Sequence, residues 1–374
     1  MAIRDSLALD EDQRALQETL RGLLTDQLSS AALRSSLDSE TGYDTALHTR
    51  LAGELGLAGL MIPEEFGGLG MSQAEAGVVH TELGRVLYPG PFLPSCLAAG
   101  ALLAAGDRPA AEYWLPRLAD GSVTGTVAAA GEDGQWSPGS DSVEAGRSAQ
   151  EWYLRGSRWY VIAGQVADIA VVPAVTDAGP ALFGVQSGSP GFGVSRQLGI
   201  DLTRRVCVMT FDTTPAFLLC HGEDAVAALD RVEHELLLAT AAEAAGGIGW
   251  CLDASIEYVK DREQFGRPIG SFQAVVRSCV DMLADLQSVS AAARYAAVAS
   301  ADGVTEARMA ARVAALRAGE AYRGVTESAI HLFGGIGFTW EHDAHLYYRR
   351  AWSAERLAGG PHAHRSAIAD IASL

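Results

Sequence analysis

The sequence predicts a mainly helical protein with a central β domain, and three observations carry that prediction. Apolar residues recur at helical spacing from residue 10 to about 118. At Gly121 the texture changes to short β-prone runs punctuated by Gly, Pro and Ser. From Glu223 long helical stretches return and continue to the last residues. The boundaries that follow are 1–120 for an N-terminal helical domain, 121–222 for a middle β domain and 223–374 for a C-terminal helical domain. A chain of 374 residues is expected to divide into two or three such units.

Each element has a local signal. Leu16, Leu20, Leu23 and Leu24 mark one face of the first helix. Asp44 is placed to cap a helix from Thr45 to Leu55. The Gly-rich segment Gly56 to Met71 reads as loop, and Ser72 as the cap of a helix running toward Leu87. The run YPGPFLPS, Tyr88 to Ser95, breaks the helices, with Ser95 opening the next. Strands are expected at Val123–Ala128, Glu151–Leu154, Trp159–Ile162, Ile169–Val175, Ala181–Val185 and Val206–Phe211, which together read as a small antiparallel barrel or sandwich. Helices follow at about 224–261, 271–301, 304–332, 342–357 and 361–372, the first three long enough for a bundle core.

Bulk properties exclude several function classes. A formal net charge of −18 makes nucleic acid and anionic membranes poor partners. No apolar run approaches the roughly 20 residues of a membrane span. The five cysteines have no metal-type spacing, and the opening MAIRDSLALDEDQ has no secretory pattern, so reduced thiols and a cytoplasmic location are expected. His362 and His364 have no third ligand at a suitable spacing, so no metal is expected.

The stretch with most chemical content is YVKDREQFGRPIGSFQ, Tyr258 to Gln273. Gly266, Pro268 and Gly270 force a sharp connection between two helices, the second starting at Ser271. Arg262, Phe265 and Gln273 put a guanidinium, a ring and an amide together, a set suited to a nucleotide diphosphate. A helix hairpin with a solvated arginine is the alternative. This stretch resembles the flavin-binding signature of the acyl-CoA dehydrogenases. PEEFGGLG (Pro63 to Gly70) resembles that family's N-terminal domain, and HLFGGIGF (His331 to Phe338) its C-terminal domain. Three motifs in order extend the resemblance over essentially the whole chain.

The resemblance implies an N-terminal α domain, a middle β-barrel and a C-terminal four-helix bundle. It also implies a homotetramer or an α2β2 heterotetramer with flavin at a subunit interface. Arg262, Phe265 and Gln273 would contact a neighbouring subunit's FAD. His331, Gly334 and Gly335 would lie against the flavin nucleotide, a plain turn being the alternative for the glycines. Tyr160 aligns with an aromatic beside the flavin ring. Ile162 replaces a Thr that bonds the flavin in relatives, and the segment Ala128 to Asp141 carries an insertion around Trp136. Arg204, in DLTRR, would help place a strand at the acyl-CoA or flavin site through ion pairing, a surface arginine pair being the alternative.

The implied activity is flavin-dependent oxidation of an acyl-CoA to the trans-2-enoyl-CoA, as in lipid β-oxidation, with an electron-transfer flavoprotein as acceptor. It needs a glutamate base. The usual position falls on Ala358, and a second family position on Leu236. Glu243, within the otherwise uncharged run from Leu236 to Trp250, is the candidate base, a solvated or subunit-facing strip being the alternative. Ala-Ala-Glu followed by glycines, and the tail GGPHAHR, resemble a bacterial subset that includes steroid and branched-acyl-CoA dehydrogenases. Some of that subset form α2β2 pairs, so a non-catalytic subunit completing a partner's FAD site is the alternative function. The small residues at Ala241 to Gly247 are expected to leave room for a bulky acyl group.

Overall fold

The computed structural model describes residues 7–136, 143–148, 151–357 and 359–373. The chain opens with helices α1 (Glu11–Gln27), α2 (Ser30–Asp38), α3 (Thr45–Thr49), α4 (Gln73–Arg85), α5 (Phe92–Ala105) and α6 (Arg108–Ala119). Their starts follow local rules. Asp10 and Gln13 cap each other's backbone at α1, Asp44 caps α3, and Ser72 and Glu75 form a reciprocal capping box at α4. Leu20 and Leu24 of the α1 stripe are buried, with Leu16 and Leu23 packed partly against the same core. One cap differs from expectation. Pro91 precedes α5, and Ser95 lies inside the helix, where its hydroxyl accepts a bond of 3.1 Å from the Gly125 amide. Ser95 therefore ties a helix to a strand instead of starting one.

The middle region carries β1 (Gly125–Val127), β2 (Val143–Ser148), β3 (Glu151–Ile162), β4 (Ile169–Thr176), β5 (Gly179–Gln186), β6 (Phe192–Arg196) and β7 (Val206–His221). Pairing runs β4–β2–β3–β7–β5 and closes through β5–β4, so five strands form a small barrel. β1 joins β4 in parallel and β6 joins β7 antiparallel. The barrel has its own core, including Leu154, Val172, Phe183 and Met209. The two short strands expected at Glu151–Leu154 and Trp159–Ile162 are one strand, because β7 also pairs with the residues between them, Arg155 to Arg158. That ladder is irregular between Arg158 and Val161, where Tyr160 has φ 53. Such a bulge bends a strand and re-aims its side chains.

The C-terminal region has α7 (Glu223–Asp261), α8 (Gln273–Ala301), α9 (Ala307–Phe333), α10 (Ala344–Arg356) and α11 (Gly360–Ala372). A two-stranded turn, β8 (Glu263–Gln264) with β9 (Arg267–Pro268), links α7 to α8. α7 is apolar nearly all round because it is central, packing on α4, α5, α8, α9 and α10. The small residues of this helix do not open the expected room. A side chain at Gly246 would strike the Thr81 carbonyl of α4, and one at Gly247 would strike the Tyr322 hydroxyl of α9. Gly84 of α4 likewise abuts the backbone of Glu243. Glycine serves here as the spacer that lets helices approach closely.

Candidate active site

A cleft of about 790 Å³ lies where barrel, N-terminal helices and bundle meet. The β3 bulge supplies Trp159 and Tyr160, α5 supplies Pro94 and Leu97, and the end of α10 with the start of α11 supplies residues 352, 353, 355–357 and 359–362. A tight hairpin at residues 131–135, closed by the Ala130–Trp136 bridge, forms another part of the wall. The rest of that insertion, residues 137–142, lies outside the described residues, as does Ala358.

Of the residues singled out from sequence, Tyr160 and Arg204 line this cleft. Tyr160 donates to the Glu132 carbonyl at 3.3 Å, and its amide donates to Gln197 Oε1 at 3.1 Å. Arg262, Phe265, Gln273, His331, Gly334 and Gly335 do not line it. They cluster where α7 and α9 end. Tyr258 donates to the Phe333 carbonyl at 3.3 Å, and the two rings meet edge to face at 5.0 Å. Around this point the surface is unusually apolar: Phe265 is 92% exposed, Phe338 75% and Trp340 60%. Phe265 has φ 55, a conformation costly for a residue with a side chain.

Glu243 is neither a lone carboxylate nor part of a solvated strip. It is buried and pairs with Arg204, with Arg350 Nη1 at 3.6 Å from Oε2 and His80 Nδ1 at 3.8 Å from Oε1. Arg350 in turn donates to Asp201 at 2.9 Å and to the Thr203 hydroxyl and carbonyl at 2.7 and 3.0 Å. Two arginines and two carboxylates thus balance inside a junction of the DLTRR loop, α7 and α10. Burial alone would push the Glu243 carboxyl up. Burial is the largest single influence, but Arg204, His80 and Arg350 together outweigh it and hold the group at about 2. Burial also lowers Arg204 from its ordinary value despite Glu243. Neither arginine of the DLTRR pair is a surface residue in solution: Arg205 donates to the carbonyls of Leu37, Ser39 and Glu40 and fastens the barrel to the end of α2.

Sequence reasoning missed two residues at this site. Arg350 carried no motif, and only its run of basic neighbours on α10 could have drawn notice. Glu355 lies on the same helix one turn before Ala358. Its side chain is 4% exposed, Oε2 is 3.5 Å from Arg323 Nη1, and Oε1 has no hydrogen-bond partner among the described residues.

The architecture is thus a closed barrel between two helical regions, with an aromatic-walled cleft at their junction. Residues 10–122 match the family model "Acyl-CoA dehydrogenase, N-terminal domain" and residues 230–372 match "Acyl-CoA dehydrogenase, C-terminal domain". The chain belongs to the acyl-CoA dehydrogenase family, whose members are FAD-dependent oxidoreductases of acyl-CoA thioesters. It is 35% identical to acyl-CoA dehydrogenase IpdE2 of Mycolicibacterium smegmatis over 94% of this chain and 96% of that one. Among solved structures it resembles the ChsE4-ChsE5 complex from Mycobacterium tuberculosis, at 28% identity and TM-score 0.89 over 98% of both chains. It also resembles the Tcur3481-Tcur3483 steroid ACAD, at 29% identity and TM-score 0.86, covering 97% of this chain and 98% of that one. No helix among the described residues is long and apolar enough to cross a membrane.

The cleft fits FAD. A flat ring with a polar edge calls for an aromatic wall and hydrogen-bond donors. Trp159 and Tyr160 supply the wall. Arg204 Nη1 and Trp352 Nε1 are buried donors without partners among the described residues, and both side chains border the cleft.

Proposed function

We propose that this cleft oxidises an acyl-CoA to its trans-2-enoyl-CoA, with Glu355 as the base that removes the α proton. One observation carries the assignment. Three carboxylates among the described residues line the cleft: Asp133, Asp201 and Glu355. Asp201 is committed to Arg350 and Thr203. Asp133 is exposed and accepts from the Gln135 amide at 3.0 Å. Of the three, only Glu355 combines burial with a carboxyl oxygen that has no hydrogen-bond partner among the described residues, which supports its choice as the base. Glu243, by contrast, would have to part from two arginines and is held far below neutrality. Its role in this reading is to position Arg204, whose free Nη1 is offered to an acceptor on the bound ligand.

FAD supplies the acceptor for the hydride leaving the β carbon. As Glu355 takes the α proton, the electrons of that C–H bond become the new double bond. Tyr160 gives the ring an aromatic wall. Arg262, Phe265, Gln273, His331, Gly334 and Gly335 are assigned to a neighbouring subunit's cofactor site, since they do not line this chain's own cleft. The heteromeric ChsE4-ChsE5 and Tcur3481-Tcur3483 assemblies support pairing with a second, related chain in an α2β2 tetramer. An electron-transfer flavoprotein is the acceptor we assign by family likeness. We put polycyclic acyl groups first among candidate substrates, a choice supported by the likeness to the steroid ACAD.

The test is an anaerobic titration of the yellow protein, alone and co-purified with its partner chain, with straight, branched and polycyclic acyl-CoAs. Bleaching by at least one thioester is expected. In Glu355→Gln, flavin content and thioester Kd should hold while the bleaching rate falls about 10²- to 10⁴-fold. Unchanged bleaching in that variant removes Glu355 as the base. Failure of every thioester to bleach the assembled protein removes the dehydrogenase reading of this cleft.

A further inference from the structure

Glu355 meets two residues of α9, Gly319 and Arg323, which stand one turn apart on the same face of that helix. Gly319 forms a floor: a Cβ there would lie 3.1 Å from Glu355 Cγ and 3.4 Å from its Cβ. Arg323 meets the carboxyl end, with Nη1 3.5 Å from Oε2. Its Cζ also sits 5.2 Å from the centre of the Trp352 ring, so one guanidinium bridges two side chains of α10. Arg323, Trp352 and Glu355 all line the cleft. No other charge stands at ion-pair distance from Glu355 among the described residues. His364 of α11 and Tyr322 of α9 share a small pocket with it. Burial lowers His364 to about 4 and raises Tyr322 well above its ordinary value, so both are neutral near pH 7. The α7 residues of that pocket, Leu237, Thr240 and Ala244, do not titrate. On the cleft side, Arg204 is paired with Glu243 and Asp201 with Arg350. Arg356 of α10 faces the Trp352 ring, 5.8 Å from its centre.

We propose that Arg323 is a positioning residue for α-proton removal, holding the Glu355 carboxyl in one orientation and in its ionised form. The inference rests on the assignment of Glu355 as the base. A base must be ionised to accept a proton. Burial favours the neutral acid, and a cation within about 6 Å favours the carboxylate. Gly319 supplies the steric half, because it lets the stem of Glu355 lie against α9 with its head beside Arg323. The Arg323 side chain is 37% exposed, so water screens part of its field. The pair therefore biases the carboxyl without locking it, in contrast to Glu243 between its buried arginines.

The test follows anaerobic bleaching of the assembled flavoprotein between about pH 5 and 9 in wild type, Arg323→Met, Arg323→Lys and Glu355→Gln. The probes are octanoyl-CoA, isobutyryl-CoA and cholyl-CoA, and the one that bleaches wild type fastest is followed. In Arg323→Met the acid limb of the rate profile should move up by about 1 pH unit, the low end for a neighbouring charge, so that below the limb the rate is about tenfold lower. Thioester Kd and flavin content should hold. Arg323→Lys keeps a charge and should return the limb to within about half a unit of wild type. A purely structural role would lower the thermal midpoint and flavin content and leave the limb in place, which overturns the inference. So does a raised thioester Kd with an unmoved limb, since Arg323 would then be a ligand contact. A slow Glu355→Gln beside an unmoved limb in Arg323→Met overturns this inference alone. Wild-type bleaching in Glu355→Gln, or no bleaching of wild type by any of the three thioesters, removes the base assignment and this inference with it.

Discussion

Glu243→Gln gives the sharpest separation between a base and a structural ion pair. The substitution leaves Arg204 and Arg350 buried with Asp201 as the one carboxylate between them. Removing one member of a buried charge set costs about 3–5 kcal/mol. The titration of the group gives a similar figure. A carboxyl held at about 2 instead of 4.5 contributes about 3 kcal/mol at neutral pH. The sign follows from the depressed value: the contribution is present above pH 4.5 and is lost as pH falls toward 2. Urea unfolding of wild type and variant, at one protein concentration, should show a gap of about 3 kcal/mol at pH 7 that closes through that window. The double variant Glu243→Gln with Arg204→Met should recover part of the loss, because it restores charge balance. A gap under 1 kcal/mol at pH 7, or one that persists unchanged at pH 2.5, would refute the ion-pair account. A stable variant that has lost only α-proton removal would return Glu243 to the role of base.

Three further outcomes are expected. Gly246→Ala drives a methyl into the Thr81 carbonyl and should cost at least 1–3 kcal/mol, seen as a lowered thermal midpoint, since backbone cannot step aside cheaply. Glu235 is raised to about 7, so wild type should lose stability as pH climbs from 4.5 through 7. Glu235→Gln should match it at pH 5 and exceed it at pH 8 in urea titrations. Phe265→Ala touches almost nothing within its own protomer, so far-UV circular dichroism should stay unchanged while the ratio of flavin to protein absorbance falls. Full flavin retention would remove Phe265 from the cofactor site.

What the sequence by itself determined is local or repeated along the chain. Caps at Asp44 and Ser72, the apolar stripe of α1 and the change of texture near Gly121 and Gly222 depend on neighbours a few residues apart, so they were legible. The ordered motifs also pointed to the family whose models match residues 10–122 and 230–372. Strand continuity was not legible: Gly156 and Ser157 look like a break, yet β7 pairs across them. β2 and β6 escaped notice as well, their exposed polar residues giving little hydrophobic alternation.

Tertiary structure alone decided the chemistry of the carboxylates. Glu243 looked isolated because its partner Arg204 lies 39 positions earlier and Arg350 sits on another helix. Glu355 looked ordinary until the fold buried it in the cleft wall with one oxygen unpaired among the described residues. The glycines of α7, read as open space, are closed contacts with α4 and α9. A side chain's charge state and the space beside it depend on groups brought together in three dimensions, and spacing along one chain does not encode that.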